Sequence, residues 1–227
     1  EEKWYTEKPL RMPDSYYCYN KPFKRNIKIE KHQENYTIYG CYNNVKKLNE
    51  NVLNIWSEIL NKTKKSKIIF KFHDYEDEGI RRDILDIFNS NNILNDRITF
   101  LYGSSFSDYI KDFNKIDISL DPFPYPGGTV TCHSLYMGVP VITLKGNDFL
   151  SRNTENILIN SNLESFISNT KDEYIEKAVF FGNNKKIIEK ENIRNSFLSS
   201  PILDGEKFSN ELKVILREKW KEYCKVN

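Results

Sequence analysis

From Tyr36 onward the chain alternates two hydrophobic rhythms. Short runs rich in β-branched and aromatic residues, YTIYGCY (36–42), KIIFKF (67–72), RITFLYG (97–103), DISL (117–120) and PVITL (140–144), read as strands. Between them apolar residues recur at helical spacing: in NENVLNIWSEILNK (49–62), Val52, Ile55, Trp56, Ile59 and Leu60 share one face. The segments EDEGIRRDILDIFNSN (76–91), SFSDYIKDFNK (105–115) and TVTCHSLYMG (129–138) continue the helical pattern. Strand and helix in strict alternation, with short crossovers, predict an α/β layer around a Rossmann-like parallel sheet flanked by helices. Beyond Leu144 the pattern turns mostly helical, in DFLSRNTENILI, KDEYIEKAVFFGNN, KKIIEKENIRNSFL and a long final segment from Gly205 to Cys224. The first 35 residues carry Pro9, Pro13 and Pro22 and no sustained period, so they read as an extended connector that needs something to pack against.

Composition narrows the function classes. The 34 basic and 32 acidic residues nearly cancel and are interleaved, which argues against a nucleic-acid partner. Cys18, Cys41, Cys132 and Cys224 are widely spaced, with no CxxC pair and no histidine at ligand spacing; free thiols in a reducing compartment and no zinc site are expected. No apolar run is long enough for a membrane span and no signal-peptide pattern opens the chain. Because the chain starts at Glu1, removal of an upstream targeting segment or domain stays open.

The densest chemistry lies in DPFPYPGGTVTCHSLYMGVPVITL, residues 121 to 144. A strand ends at Leu120, a stiff aromatic loop follows, Gly127 and Gly128 remove side chains, and Thr129 opens a helix with a hydroxyl and free N–H groups. Such a turn at the carboxyl end of a parallel strand suits a diphosphate. A plain βα turn capped by threonine fits the same spacing equally well.

The stretch LDPFPYPGGTVTCHSLYMGVPVITLKG, followed by Ser151 and Arg152, resembles the C-terminal catalytic lobe of the O-linked N-acetylglucosaminyltransferase and SPINDLY family of protein glycosyltransferases. WYTEKPLRMPDSYYCY is similar to the segment that enters that lobe, YGCYNNVKKLNENVLNIWSEIL to its first strand and helix, and the segments from DEYIEKAV to ILREKW to its closing helices. The resemblance implies the C-terminal, nucleotide-sugar-binding lobe of a GT-B fold. Residues 1–35 would then be a connector from a missing N-terminal lobe, and residues 36–227 the lobe itself with its C-terminal helices.

Position by position, the resemblance makes Lys47 the catalytic candidate, the lysine that contacts the donor diphosphate and supports leaving-group departure. On the residues alone, Lys47 reads as a solvated lysine at a turn, as neighbouring Lys46 does. Asn44 stands where relatives often carry a glutamine near the donor. Thr129 matches a phosphate-contacting hydroxyl, Gly127, Gly128 and Thr131 shape the loop, and Val130 replaces a common threonine. His133 is the largest departure, since the family places Glu or Asp there for the ribose hydroxyls; an altered nucleotide preference and a partly buried helix histidine are both open. Ser104 and Ser105 would edge the base-binding loop, with Tyr109 in place of a stacking histidine, while Asp112 stands near a basic position. Uracil and guanine both stay open.

The resemblance further implies an inverting, metal-independent transfer of N-acetylglucosamine or fucose, from UDP-N-acetylglucosamine or GDP-fucose, to Ser or Thr of proteins. No permanently bound cofactor is expected, and the protein would be cytoplasmic, with the nucleus also open. Its partners would be the nucleotide sugar, a protein acceptor, and an N-terminal lobe and tetratricopeptide repeats of the same longer chain, with no membrane or nucleic acid. The competing expectation is a degenerate, non-catalytic binding or interaction module. His73 and Asp74 read as a strand-end polar cluster, His32 as exposed, Asp172 and Glu176 as a solvated helix face, and Trp4, Trp56 and Trp220 as packing residues.

Overall fold

The structure is a computed structural model that describes residues 5–23, 27–30 and 34–226. His32 and Trp4 lie outside the described residues. Six parallel strands, β1 (Thr37–Cys41), β2 (Ser66–Lys71), β3 (Ile98–Leu101), β4 (Ile118–Leu120), β5 (Val141–Leu144) and β6 (Ile167–Ser168), form one sheet in the order β3-β2-β1-β4-β5-β6. All five pairings are parallel, as the near-continuous apolar strands require when both faces are covered. Four strands fall within the expected runs, and β2 matches its run but starts one residue earlier, at Ser66. The sixth was not expected, because two residues between turns carry no period of their own and pair only through Thr143 and Leu144 of β5.

The helices are α1 (Glu50–Lys62), α2 (Glu78–Ser90), α3 (Phe106–Lys111), α4 (Thr129–Tyr136), α5 (Asn153–Asn160), α6 (Lys171–Asn183), α7 (Lys190–Leu198) and α8 (Gly205–Val226). Their starts follow side-chain capping: Asn49 accepts from the Val52 amide, Asp77 from Gly79 and Ile80, and Thr170 from Glu173. The face of α1 read from the sequence is buried, and Trp56 within it is fully enclosed, its indole N–H donating to the Tyr174 hydroxyl at 3.0 Å. Trp220 corrects the expectation: it is 65% exposed on α8, stacked on the ring of Tyr223, because α8 sends no side chain of its described residues into the core. Asp172 and Glu176 are exposed on α6.

The early segment finds its packing on the sheet's helices. Ser15 and Tyr16 donate hydrogen bonds to Asn156 and Asn153 of α5, the Tyr19 amide donates to the Ile202 carbonyl at 2.8 Å, and the Tyr19 ring joins the core beside Phe197. Further on, the Glu30 amide donates to Asn114 at 3.0 Å. No helix of the described residues is long and apolar enough to cross a membrane.

Candidate functional site

The strand order reverses between β1 and β4, so the crevice beyond Cys41 and Leu120 is where an open parallel sheet receives a ligand. The loops leaving these two strands meet there. After β1, Asn44 caps a short 3₁₀ turn over residues 45–47, its side chain accepting from the Lys46 amide at 2.9 Å. That turn aims Lys47 across the crevice: its ammonium donates to the Pro126 carbonyl at 2.7 Å, approaches Asn43 Oδ1 at 3.5 Å and lies 4.1 Å from the Tyr125 ring centroid. Burial lowers the Lys47 pKa, while Asp121 pulls it back up. Lys46 stays exposed.

The glycine turn is built on Asp121, which the sequence reading passed over. Its buried carboxylate accepts from the Gly127 amide at 2.7 Å and from Thr143 at 2.8 Å; burial raises its pKa against those hydrogen bonds. Thr131 is buried and bonds Thr154 at 3.0 Å, and Thr154 reaches the Gly127 carbonyl at 3.3 Å. A Cβ on Gly127 would sit 2.3 Å from Thr131 Oγ1, and one on Gly128 2.4 Å from the Tyr17 hydroxyl. The space that these glycines leave is therefore taken by the protein itself, so Gly127 and Gly128 set the shape of the turn from behind. Thr129 stands exposed at the start of α4, where the N–H groups of the first turn have no helical acceptor.

One turn further along α4, His133 is enclosed by rings: Tyr109, Phe106 and Tyr19 lie with centroids 5.5, 5.7 and 5.9 Å away, all edge-on. Nδ1 lies 3.4 Å from the Tyr109 hydroxyl, and burial pushes the imidazole pKa down to about 4, which keeps it neutral near pH 7. Ser104 and Ser105 are exposed; Ser105 caps α3, accepting from the Asp108 amide at 3.2 Å. Phe106 stacks on Tyr109 and is half exposed, which makes it a second flat face at this rim.

Among the residues considered from sequence, Lys47, Asn44, Gly127, Gly128, Thr129 and Thr131 gather at the crevice, with Tyr109 and His133 flanking it and Ser104 and Ser105 at the α3 entrance. His73 pairs with Asp74 at 2.9 Å in a separate exposed turn after β2. Asp112 is held by Lys71 and Lys115, both at 2.7 Å. Cys41 and Cys132 are buried, which pushes both thiols up to about 12 and away from nucleophilic chemistry. Among the described residues no group of three or more His, Cys, Asp and Glu could hold a metal ion. Tyr17, Tyr19 and Tyr125 were missed because ring contacts between distant segments leave no local period.

The sequence model of Glycosyl transferase family 41 matches residues 28–212. The chain belongs to this family. Within it, the chain is 29% identical over 225 residues to a protein of Solanum lycopersicum named a probable UDP-N-acetylglucosamine-peptide N-acetylglucosaminyltransferase SPINDLY, covering 97% of this chain and 24% of that one. It is 24% identical to the SEC protein of Arabidopsis thaliana, whose name carries the same description, again over 97% of this chain and 24% of the other. Among solved structures, a variant of the Thermobaculum terrenum O-GlcNAc transferase superposes with a TM-score of 0.88 and 25% identity, over 99% of this chain and 43% of that one. The chain thus spans about a quarter of the length of these curated relatives. Its six-stranded parallel sheet has the architecture of the C-terminal lobe of a GT-B glycosyltransferase fold.

Proposed function

We propose that this chain is the donor-binding lobe of an inverting protein O-glycosyltransferase that transfers N-acetylglucosamine or fucose from a nucleotide diphosphate sugar to Ser or Thr hydroxyls of intracellular proteins. One observation carries the reading: Lys47 reaches over the Gly-Gly-Thr turn to the Pro126 carbonyl, in front of the α4 N-terminus. Breaking the sugar–phosphate bond builds negative charge on the departing diphosphate. An ammonium and a helix N-terminus fixed at that place stabilise the charge as it develops. In this reading they take the part that a divalent ion plays elsewhere, and no permanently bound cofactor is required. The arriving diphosphate would itself favour the ammonium form of Lys47.

The nucleoside would lie toward α3, between Tyr109 and His133, with Ser104, Ser105 and Asn44 at its edges. UDP-N-acetylglucosamine and GDP-fucose are the two donors to be compared. The acceptor side would come from an N-terminal lobe of a longer chain, entered through residues 1–35, with tetratricopeptide repeats upstream. The enclosed neutral His133 favours a second reading, a lobe that keeps the fold as a binding module without turnover.

Calorimetric titration of the chain with UDP, GDP, UDP-N-acetylglucosamine and GDP-fucose tests the proposal. Saturable binding of one nucleotide series, weakened by Lys47→Ala and Thr129→Ala, is expected. Silence from all four with a folded sample would put the binding-module reading first.

A further inference from the structure

Lys71 ends β2 with a side chain only 5% exposed, and its ammonium lies 2.7 Å from Asp112 Oδ2, a carboxylate itself only 14% exposed. A pair so enclosed loses most of its hydration, and replacement by apolar groups of similar volume is often neutral or stabilising. Net stability is therefore a poor account of its presence, whereas orientation is a good one. Asp112 joins α3 to the 3₁₀ turn that follows it, and three ties converge on that residue. Lys71 holds one carboxylate oxygen, Lys115 holds the other at 2.7 Å, and the Asp112 carbonyl accepts from the buried Tyr42 hydroxyl at 2.9 Å.

Tyr109 lies one helical turn before Asp112. Its ring packs on Phe113 and Tyr42, with centroids 5.6 and 6.2 Å apart, and its hydroxyl faces His133. The end of β2, the loop after β1 and α3 are thus fastened at one residue, and the free end of that assembly is the ring that meets α4.

We infer that the buried Lys71–Asp112 pair is a positioning device that fixes Tyr109 against His133 and so sets the width of the nucleoside-binding part of the crevice. This rests on the donor-lobe reading only for the ligand; the Tyr109–His133 geometry can be read without one.

The test compares the double variant Lys71→Met/Asp112→Leu, the single variants Asp112→Asn and Lys71→Arg, and the unaltered chain. Thermal unfolding, ring-proton cross-peaks between Tyr109 and His133 in NMR spectra, and calorimetric titration with UDP and GDP are measured on each. The double variant is expected to fold, to lose those cross-peaks, and to bind the preferred nucleotide about tenfold more weakly. Lys71→Arg, which keeps the pair, is expected to retain both the cross-peaks and the affinity of the unaltered chain. If the double variant does not fold, Asp112→Asn is read by the same criteria. Retention of the cross-peaks in a folded variant overturns the inference, whatever happens to affinity, and so does loss of the cross-peaks with unchanged affinity. If the unaltered chain binds neither nucleotide, the donor-lobe reading falls and the cross-peaks alone decide: their loss supports the positioning role and their retention removes it.

Discussion

The ammonium of Lys47 and the carbonyl oxygen of Pro126 are 2.7 Å apart although 79 positions separate them in the chain. The contact ties the turn after β1 to the glycine turn after β4 and places one positive charge at the switch point of the sheet. Lys47 is half buried with a lowered pKa, so it is already partly desolvated where an anion would arrive.

Lys47→Ala is expected to leave the unfolding temperature nearly unchanged, since the residue fills no core space, and, on the proposed function, to reduce sugar transfer sharply wherever this lobe is assayed with its acceptor side. Because the folded pKa lies below the ordinary 10.5, diphosphate affinity should fall as pH rises through that lowered value. Calorimetry across the alkaline range checks this, and a profile identical in Lys47→Ala would remove Lys47 from the site.

Gly127→Ala drives a methyl to 2.3 Å from Thr131 Oγ1 and 3.1 Å from Asp121 Oδ1. It should disturb the Thr131–Thr154 bond and cost about 1–3 kcal/mol in urea denaturation. Gly128→Ala meets the Tyr17 hydroxyl at 2.4 Å, whereas the next atom of that ring is 3.3 Å away. Removing the hydroxyl with Tyr17→Phe should therefore recover much of the loss, and additive costs in the double variant would contradict the close approach.

His133 titrates in the fold at about 4 against an ordinary 6.5, because burial disfavours the imidazolium. Protonation therefore favours the unfolded chain. The stabilisation is fully present above pH 6.5 and is lost as pH falls toward 4, by roughly 3 kcal/mol at the lower end. Denaturation of His133→Phe beside the unaltered chain should isolate this component, and parallel pH curves for the two would refute the assignment.

The two described tryptophans should behave oppositely. Trp56→Phe removes a fully buried indole and its hydrogen bond to Tyr174, with an expected loss of about 1–3 kcal/mol. Trp220→Ser, at a position 65% exposed, should shift stability by no more than about 0.5 kcal/mol. Unfolding midpoints followed by circular dichroism distinguish them, and a large effect at Trp220 would mean that α8 is covered in solution.

The sequence by itself determined the alternation of elements, because a parallel strand buried on both faces must be apolar along its length and a covering helix must carry one apolar stripe. It also pointed to the glycine turn, whose chemistry is local, and to Lys47 through the family resemblance alone, since by its own neighbours Lys47 reads as a solvated turn lysine. Only the tertiary structure decided where side chains from separate loops converge. Asp121 becomes the anchor of the turn only once Gly127 and Thr143 fold onto it, and Tyr17 and Tyr19 join the site's surroundings only because the early segment lies across α4 and α5. Trp220 reads as core by composition yet stands in solvent, and the two-residue β6 exists only through its pairing with β5. Periodicity is a property of neighbours along the chain, whereas burial, ion pairing and shifted pKa values are set by neighbours in space.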